Sequence, residues 1–308
     1  MGANMTPIDT VLYHRHCRDG GTAAWVCSRF GGLQDAEYKS VAYYEDPPWE
    51  CVDGKHVLIV DFSYKRPVLL EIASRAASVQ VLDHHKSSAE ELEGLDFCTF
   101  DMNRSGAMLA WDWVVENRAE CVEEECYRMH TTGDAAPWPV SYAQDYDLWK
   151  HELPDTHLVA AVFQYQKPDD FEAIDRMFEA GLDSCIATGE ILHNALIWEC
   201  QDIVNSVRIA ETRGVTIGIV NCSPRHWSTA LHMLLDQRPE IAFAMAFIGN
   251  GKNWTHTLRS RSDSAVDVSR IASVFGGGGH RNASGFKSVN FPIPAESVIN
   301  AYLFTTAG

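Results

Sequence analysis

Two short apolar runs, each ending on a carboxylate, organise the first third of the chain. Val57–Val60 leads into Asp61, and Val79–Leu82 leads into Asp83. Between the two runs, residues 64–78 place apolar side chains at helical spacing. This order of strand, helix and strand predicts one βαβ unit, whose parallel strands bring their terminal polar residues to the same edge of a sheet.

A third polar strand end is predicted near the N-terminus. The apolar run Val11–Tyr13 leads into His14, and Asp19 and two glycines follow before the helical residues Thr22–Cys27. Glycines allow the backbone to turn sharply or to come close to a ligand. We therefore expect this loop to join the same sheet edge as a site loop.

A second α/β pattern begins after residue 213, beyond a long helical stretch with few breakers. Its predicted strands and helices alternate: strands at 215–220, 241–248 and 254–259, and helices at 228–236 and 267–275. The sequence thus predicts three segments: an N-terminal domain of residues 1–183, a helical linker of residues 184–212 and a C-terminal domain of residues 213–308.

The composition and net charge limit the kinds of partner that the protein is expected to bind. The chain has 308 residues with 46% hydrophobic content, which is enough for two cores, and a formal net charge of −17. Proteins that hold long duplex nucleic acid are usually basic, because they neutralise phosphates. We therefore expect no long duplex partner, and a small phosphorylated substrate or a very short oligonucleotide instead.

Cysteine usage and the N-terminus indicate the compartment. The nine cysteines include no Cys-x-x-Cys pair, which favours reduced thiols over a disulfide framework. The first residues lack the basic and apolar regions of a signal peptide, and no apolar run reaches the ~18 residues of a membrane span. A cytoplasmic protein without a membrane partner is expected, and its oligomeric state is left open.

The polar residues at the predicted strand ends are of the types that bind metal ions. A single histidine at a strand end is most often a hydrogen-bonded structural residue, but here several polar groups accompany the triplet of Asp83, His84 and His85. They are His14 with Asp19, Asp61, and Asp145. Mixed imidazole and carboxylate ligands suit a pair of manganese or magnesium ions better than a structural zinc. Two such ions can stabilise both oxygens of an in-line phosphoryl displacement.

A glycine run near the C-terminus forms a second candidate site. Gly276–Gly279 follows a predicted helix and precedes His280 and Asn282. Free backbone amides in such a run can surround an anion, and Arg259 on a nearby strand can contact phosphate through two hydrogen bonds. The alternative interpretation is a mobile linker, which the ordered flanking elements disfavour.

The triplet after an apolar strand and the motif Gly-Gly-Gly-Gly-His-Arg-Asn-Ala-Ser-Gly-Phe together resemble the DHH phosphoesterases with the DHH-associated C-terminal domain. That group includes RecJ-type exonucleases, nano-RNase/pAp phosphatases and cyclic-dinucleotide phosphodiesterases. The resemblance covers nearly the whole chain. It implies an α/β enzyme with an N-terminal parallel-sheet domain, a smaller C-terminal α/β substrate-binding domain, and an active site in the cleft between them.

The same resemblance implies a role for each matching residue. The ligands of two manganese ions, with Mg²⁺ or Co²⁺ as alternatives, would be His14, Asp19, Asp61, His84 and Asp145. Asp61 would bridge the ions. The catalytic triplet would be Asp83, His84 and His85, of which Asp83 and His85 support the centre or contact the phosphate. The substrate would be held by Arg259, Gly278, Gly279, His280 and Asn282.

The sequence departs from this pattern at the first motif. Many relatives carry an aspartate two residues before Asp19, and here Cys17 occupies that position. Either His14, His16 or Cys17 completes the ligands of one metal, or that metal binds weakly. Asp145 is chosen over Asp147 on the interpretation that this segment is extended and turns Asp147 away.

The expected function is a metal-dependent phosphoesterase that releases mononucleotides from short oligonucleotides. Alternative substrates are pAp, cyclic dinucleotides, polyphosphate or a non-nucleotide phosphodiester. A processive RecJ-like nuclease is disfavoured by the chain length and the acidic balance. A hypothesis of another class, a nucleotide-binding protein with a decayed metal site, rests on Cys17. Trp227 or Trp254 could stack a base, but core packing is the favoured interpretation for both.

Overall fold

The computed structural model describes residues 7–43, 45–117, 135–167 and 170–306. The chain forms two compact units, Met1–His193 and Asn194–Gly308. A long helix, Leu182–Asn205, begins in the first unit and ends in the second. It is shorter than the predicted helical linker, because Arg208–Thr212 is a strand of the second sheet.

The first unit is an α/β unit with a parallel sheet, as predicted. Its strands are β1 (Thr10–His14), β2 (Glu37–Val41), β3 (His56–Val60), β4 (Ser78–Asp83) and β5 (Cys98–Phe100). Its helices are α1 (Arg18–Phe30), α2 (Arg66–Arg75), α3 (Lys86–Glu91), α4 (Gly106–Asn117), α5 (Trp138–Asp147), α6 (Thr156–Tyr165) and α7 (Phe171–Ala180). The sheet order is β2-β1-β3-β4-β5, and every neighbouring pair is parallel.

Strand β3 shows why this sheet forms. Its apolar residues alternate between two cores, since Leu58 and Val60 pack into one buried cluster while Val57 and Ile59 pack into another. A parallel strand covered on both faces needs such a continuous apolar run. The polar residue that follows, Asp61, therefore lies at the carboxyl edge of the sheet, where ligands of open α/β sheets bind.

The second unit contains a mixed sheet of six strands in the order β10-β11-β9-β8-β7-β6. Its strands are β6 (Arg208–Thr212), β7 (Val215–Asn221), β8 (Phe243–Gly249), β9 (Asn253–Arg259), β10 (Gly278–His280) and β11 (Ala283–Val289). Its helices, following α8 (Leu182–Asn205), are α9 (Trp227–Gln237), α10 (Val268–Val274) and α11 (Ala295–Thr306). Over the described residues, no helix combines the length and apolar character needed to cross a membrane.

One histidine is part of the core of this second unit. His256 in β9 is fully buried, and its ring stacks on Phe286 of β11 with the ring centroids 4.6 Å apart and the planes 6° apart. The backbone N–H of Ile293 donates to its Nε2 at 3.0 Å. The neutral ring therefore carries its proton on Nδ1. Burial lowers the pKa of His256 to about 4.

This histidine predicts an acid-sensitive second unit. The pKa of His256 is about 4 in the folded protein, against about 6.5 in an unfolded chain. Only the unfolded state gains a proton between these values, so about 3 kcal/mol of stability is lost as pH falls from 6.5 to 4. Hydrogen exchange of the β9 amides measures this loss. His256→Gln still accepts from Ile293 but does not titrate, so its pH dependence should be weaker. An equal pH dependence in both proteins would contradict the prediction.

Candidate metal centre

The three predicted strand ends meet at one edge of the first sheet. Strand β1 ends at His14, and Asp61 and His84 directly follow β3 and β4. Oδ1 of Asp61 lies 3.1 Å from Nε2 of His84, and its Oδ2 lies 3.6 Å from Nδ1 of His14. Asp61 and His84 are each only 1% exposed. A buried carboxylate therefore lies between two imidazoles.

Asp61 belongs to two groups of potential metal ligands. One group is Asp19, Asp61 and His84, and the other is His14, Asp61 and His85. Within each group, one ligand atom per residue lies within 4.8 Å of the others. A carboxylate has two oxygens, so a shared aspartate can serve two neighbouring ions. A bridging role of Asp61 stays a prediction.

The backbone around Asp61 is held in an unusual conformation. Asp61 has a φ of 54°, in the left-handed region that aspartate and asparagine tolerate better than most residues. Gly106, the first residue of α4, lies directly against it, because a Cβ on Gly106 would come within 2.3 Å of the Asp61 Cβ. The missing side chain at residue 106 therefore makes room for the central carboxylate.

Gly106→Ala should weaken metal binding about 10- to 100-fold, because the new methyl group pushes Asp61 away from the two histidines. Ala110→Gly, one turn further along α4, is the control change in the same helix and adds no atoms. Calorimetric titration of Mn²⁺ into both variants measures the effect. Unchanged affinity in Gly106→Ala would show that Asp61 does not have to stay where the structure has it.

Asp19 joins the cluster from the start of α1. Its carboxylate accepts the backbone N–H of Gly106 at 2.5 Å and of Ala107 at 3.1 Å. One of its oxygens also lies 3.6 Å from Nε2 of His84. Asp19 thus links the N-terminus of α4, where a negative charge is favourable, to the centre. Burial, followed by the charges of Asp61 and Asp147, raises the pKa of Asp19 well above its usual value.

The last aspartate at the centre is Asp147, where Asp145 was predicted. The segment is not extended but is the helix α5, and residues two apart on a helix lie about 200° apart around its axis. An extended segment would have placed both carboxylates on one face, so that reasoning could not separate them. Oδ2 of Asp147 lies 3.5 Å from Nε2 of His84.

Asp145 instead holds the chain that follows α5. Its carboxylate accepts the backbone N–H of Glu152 at 2.9 Å and of Leu153 at 3.2 Å, and it also accepts the hydroxyl of Thr156. It is 4% exposed. These hydrogen bonds occupy both of its oxygens, so the geometry supports a structural role for Asp145.

The negative charges at the centre favour the binding of a cation. Burial alone would lower the pKa of His84, but the hydrogen bond with Asp61 and the charges of Asp147, Asp61 and Asp19 raise it to about 10. Oδ2 of Asp61 and Oδ2 of Asp147 are buried without a hydrogen-bond partner among the residues that the structure describes. Carboxylate oxygens with imidazole nitrogens form a donor set that fits manganese and similar divalent ions.

Asp83 and His85 lie beside this centre. Asp83 is fully buried and accepts Ser63 Oγ–H at 2.5 Å and the backbone N–H of His84 at 2.8 Å. Burial tends to raise its pKa, but the charge and hydrogen bond of His85 lower it, so the carboxylate is ionised. Its Oδ1 lies 2.7 Å from Nδ1 of His85. An ionised carboxylate only accepts, so Nδ1 carries the proton and Nε2 of His85 is the ring nitrogen with a lone pair.

Cys17 lies at the N-cap of α1, and its carbonyl accepts the N–H of Gly21. Burial and the charges of Asp61, Asp147 and Asp19 raise the pKa of its thiol well above the usual value. The thiol therefore stays neutral beside these carboxylates. Neither ligand group contains Cys17 or Asp147, but Oδ2 of Asp147 lies 3.5 Å from Nε2 of His84 and is an oxygen donor beside the centre.

The candidate substrate residues of the second unit lie on β9, β10 and the turn before β11. Gly278–His280 is a short edge strand paired with β11. Nδ2 of Asn282 donates to Ser260 and to the carbonyl of Arg261, which fixes the turn. Arg259 ends β9, with Nη1 donating to its own strand. A role of Arg259, Gly278, Gly279, His280 and Asn282 in substrate binding stays a prediction.

The two tryptophans considered for base stacking are half-buried. The indole N–H of Trp227 donates to the carbonyl of Cys222 at 3.0 Å, and its ring packs against a buried apolar cluster. The ring of Trp254 lies 5.9 Å from that of Phe247. Both observations agree with the favoured interpretation that these side chains pack with the core.

Sequence similarity connects the chain to a viral protein. No family model matches the chain. Its sequence is similar to "Uncharacterized protein R106" of Acanthamoeba polyphaga mimivirus, at 29% identity over 324 residues, covering 96% of this chain and 71% of that protein.

Three solved structures share the fold. The DHH domain of PF0399, a member of a family of ribosomal proteins, aligns with a TM-score of 0.57 at 15% identity and covers 97% of this chain and 86% of that one. An exopolyphosphatase-related protein from Bacteroides fragilis gives 0.53 at 12% identity, with 96% and 90% covered. RecJ from Thermus thermophilus, in complex with Mn²⁺, gives 0.52 at 17% identity, with 97% and 52% covered.

Proposed function

We propose that this chain, which has the fold of the DHH-domain proteins, is a divalent-metal-dependent phosphoesterase. The observation that carries the proposal is the buried Asp61, shared by two ligand groups with a histidine in each. We assign its ligands as His14, Asp19, Asp61, His84 and Asp147, with His85 beside them. Asp147 replaces the predicted Asp145, which is occupied by the chain after α5.

The proposed roles follow from what each residue contacts. When bound, two divalent ions lower the pKa of water and stabilise the charge on both oxygens of an in-line displacement. Asp61 holds the two ligand groups together. Asp83 fixes the tautomer of His85 and so orients its Nε2. Arg259 and His280 of the second unit would supply donors to the phosphate of the substrate.

Short oligonucleotides are the proposed substrates, with release of mononucleotides and with manganese as the proposed metal. The net charge of −17 disfavours a long polyanion and allows a short one that meets the cations of a local pocket. The fold is shared with an exonuclease RecJ structure that holds manganese, at a TM-score of 0.51 and 13% identity. The division of labour between the two units stays a prediction.

Product analysis tests the proposal. Short end-labelled RNA and DNA oligomers are incubated with the protein and Mn²⁺, beside pAp, a cyclic dinucleotide and polyphosphate, with Asp61→Asn protein as the control. Stepwise release of mononucleotides by the wild type alone is the expected result. Cleavage of pAp, a cyclic dinucleotide or polyphosphate alone would retain the phosphoesterase and replace the substrate. No cleavage of any substrate by folded, metal-loaded protein would overturn the proposal.

A further inference from the structure

Three aromatic side chains surround the end of helix α5. The rings of Tyr146, Trp149 and His151, here named the aromatic cluster, pack edge to face. Their centroids are 5.3 Å apart for Tyr146 and Trp149, 5.7 Å for Tyr146 and His151, and 4.5 Å for Trp149 and His151. Trp149 is 37% exposed, and His151 is also exposed. The cluster therefore presents ring surface to solvent.

The backbone of the cluster is held in place by the residues around it. Trp149 has a φ of 55° and His151 a φ of 52°, a left-handed conformation that is uncommon for bulky side chains. The N–H groups of Lys150 and His151 both donate to the carbonyl of Asp145. The Asp145 carboxylate holds the next residues in the same way. Such strain persists only where surrounding contacts over-determine it, and it concentrates at functional sites.

The positively charged guanidinium of Arg18 lies against the aromatic cluster. The Cζ atom of Arg18 lies 4.2 Å from the centroid of the Tyr146 ring, and its Nη2 donates to Gln164. Its Nη1 is buried without a hydrogen-bond partner within the part of the chain that the structure describes. In a chain of net charge −17, a guanidinium fixed against the cluster is a positive charge that suits an anionic group of a ligand.

Trp149 and Arg18 are both close in sequence to candidate ligands of the metal centre. Trp149 follows the candidate ligand Asp147 by two residues, so the chain separates them by at most about 7 Å. Arg18 directly precedes the candidate ligand Asp19. The aromatic cluster and Arg18 are therefore near enough to the centre along the chain for one ligand to span both.

We propose that the aromatic cluster and Arg18 form a nucleotide subsite, in which a nucleobase stacks on Trp149 and a phosphate meets Arg18. A flat ring surface beside a cation matches the two chemical parts of a nucleotide. Stacking tolerates every base, because each base has a π-face. The role of this subsite in choosing nucleotide substrates rests on the proposed phosphoesterase function, whereas nucleotide binding itself does not.

Equilibrium binding separates the base from the phosphate. AMP and ribose 5-phosphate are titrated calorimetrically into the wild type, Trp149→Ala, Trp149→Phe, Arg18→Gln and Trp198→Ala. The wild type should bind AMP at least about fivefold more tightly than ribose 5-phosphate. Trp149→Ala should lose this preference, and Trp149→Phe, which keeps a ring, should recover part of it. Arg18→Gln should weaken both ligands while the preference for AMP remains.

Trp198→Ala is the matched control, because it removes a tryptophan that is 78% exposed on α8 and outside the cluster. It should keep the full preference for AMP. The proposal is overturned if the wild type binds both ligands equally, or if Trp149→Ala and Trp198→Ala behave alike.

Hydrolysis distinguishes this proposal from the phosphoesterase proposal. In Trp149→Ala, kcat/KM should fall for a dinucleotide and stay unchanged for the corresponding abasic sugar-phosphate diester. Equal effects on both diesters would contradict the subsite and leave the phosphoesterase intact. If the wild type cleaves neither diester, nor pAp, a cyclic dinucleotide or polyphosphate, but prefers AMP in binding, the phosphoesterase proposal fails and the subsite stands.

Discussion

Asp61→Asn should abolish metal-dependent hydrolysis, lowering kcat/KM by at least about 1,000-fold, and should remove metal from both ligand groups. The reason is that one buried carboxylate belongs to both groups. An amide keeps the size of the side chain but removes its charge and replaces one oxygen by a donor. Asparagine also tolerates the φ of 54° at this position, so the backbone should keep its conformation.

Metal content and circular dichroism measure this first prediction. Asp53→Asn is the matched control, because Asp53 is a half-exposed aspartate that pairs with Arg75 on the surface. Asp53→Asn should bind metal and turn over as the wild type does, and both variants should be folded. Full metal content in Asp61→Asn would show that Asp61 is not the shared ligand.

The second large effect separates two aspartates on the same helix. Asp147→Asn should lower kcat/KM at least about 100-fold without loss of stability, because it removes a negative charge that faces His84 and two other buried carboxylates. Asp145→Asn should instead cost about 2–3 kcal/mol of stability, because an amide nitrogen would then face the donors of Glu152, Leu153 or Thr156.

Thermal unfolding of the metal-free variants and activity of the metal-loaded variants give the two readouts. We expect stability to fall only in Asp145→Asn and metal content to fall only in Asp147→Asn. If metal were lost in Asp145→Asn and kept in Asp147→Asn, with equal thermal stability, the original choice of Asp145 as the ligand would be right.

The sequence predicted those parts of the centre that depend on strand ends. His14, Asp61 and His84 follow strongly apolar strands, and any parallel sheet brings such residues to one edge. The choice between Asp145 and Asp147 was wrong in its premise, because it depended on the local conformation of a short segment with mixed polarity. Helix α5 begins at Trp138 after a proline and presents no clean apolar stripe.

Two further features depended on contacts that are remote in sequence. The role of Gly106 follows from its contact with Asp61, which is distant in sequence. The local sequence pattern does not predict such a contact. The strand Gly278–His280 forms because it pairs with β11. Glycines carry no alternation of apolar and polar side chains, so the pattern did not predict this strand.

The aromatic cluster was missed for a related reason. The sequence shows Tyr146, Trp149 and His151 near a candidate ligand, but the left-handed residues that bring the rings together follow from hydrogen bonds to Asp145. A pattern of residue types does not encode those bonds. Tryptophans in the second unit were considered for stacking instead, and the structure packs them with the core.

Titration of metal-stripped protein with Mn²⁺, followed by electron paramagnetic resonance, shows whether Asp61 joins two metal ions. Two ions that share the Asp61 carboxylate should bind per chain and give an exchange-coupled signal, and Asp61→Asn should abolish that signal. This readout does not depend on finding the substrate. A folded protein that binds no Mn²⁺, or binds only isolated, uncoupled ions, would contradict the account.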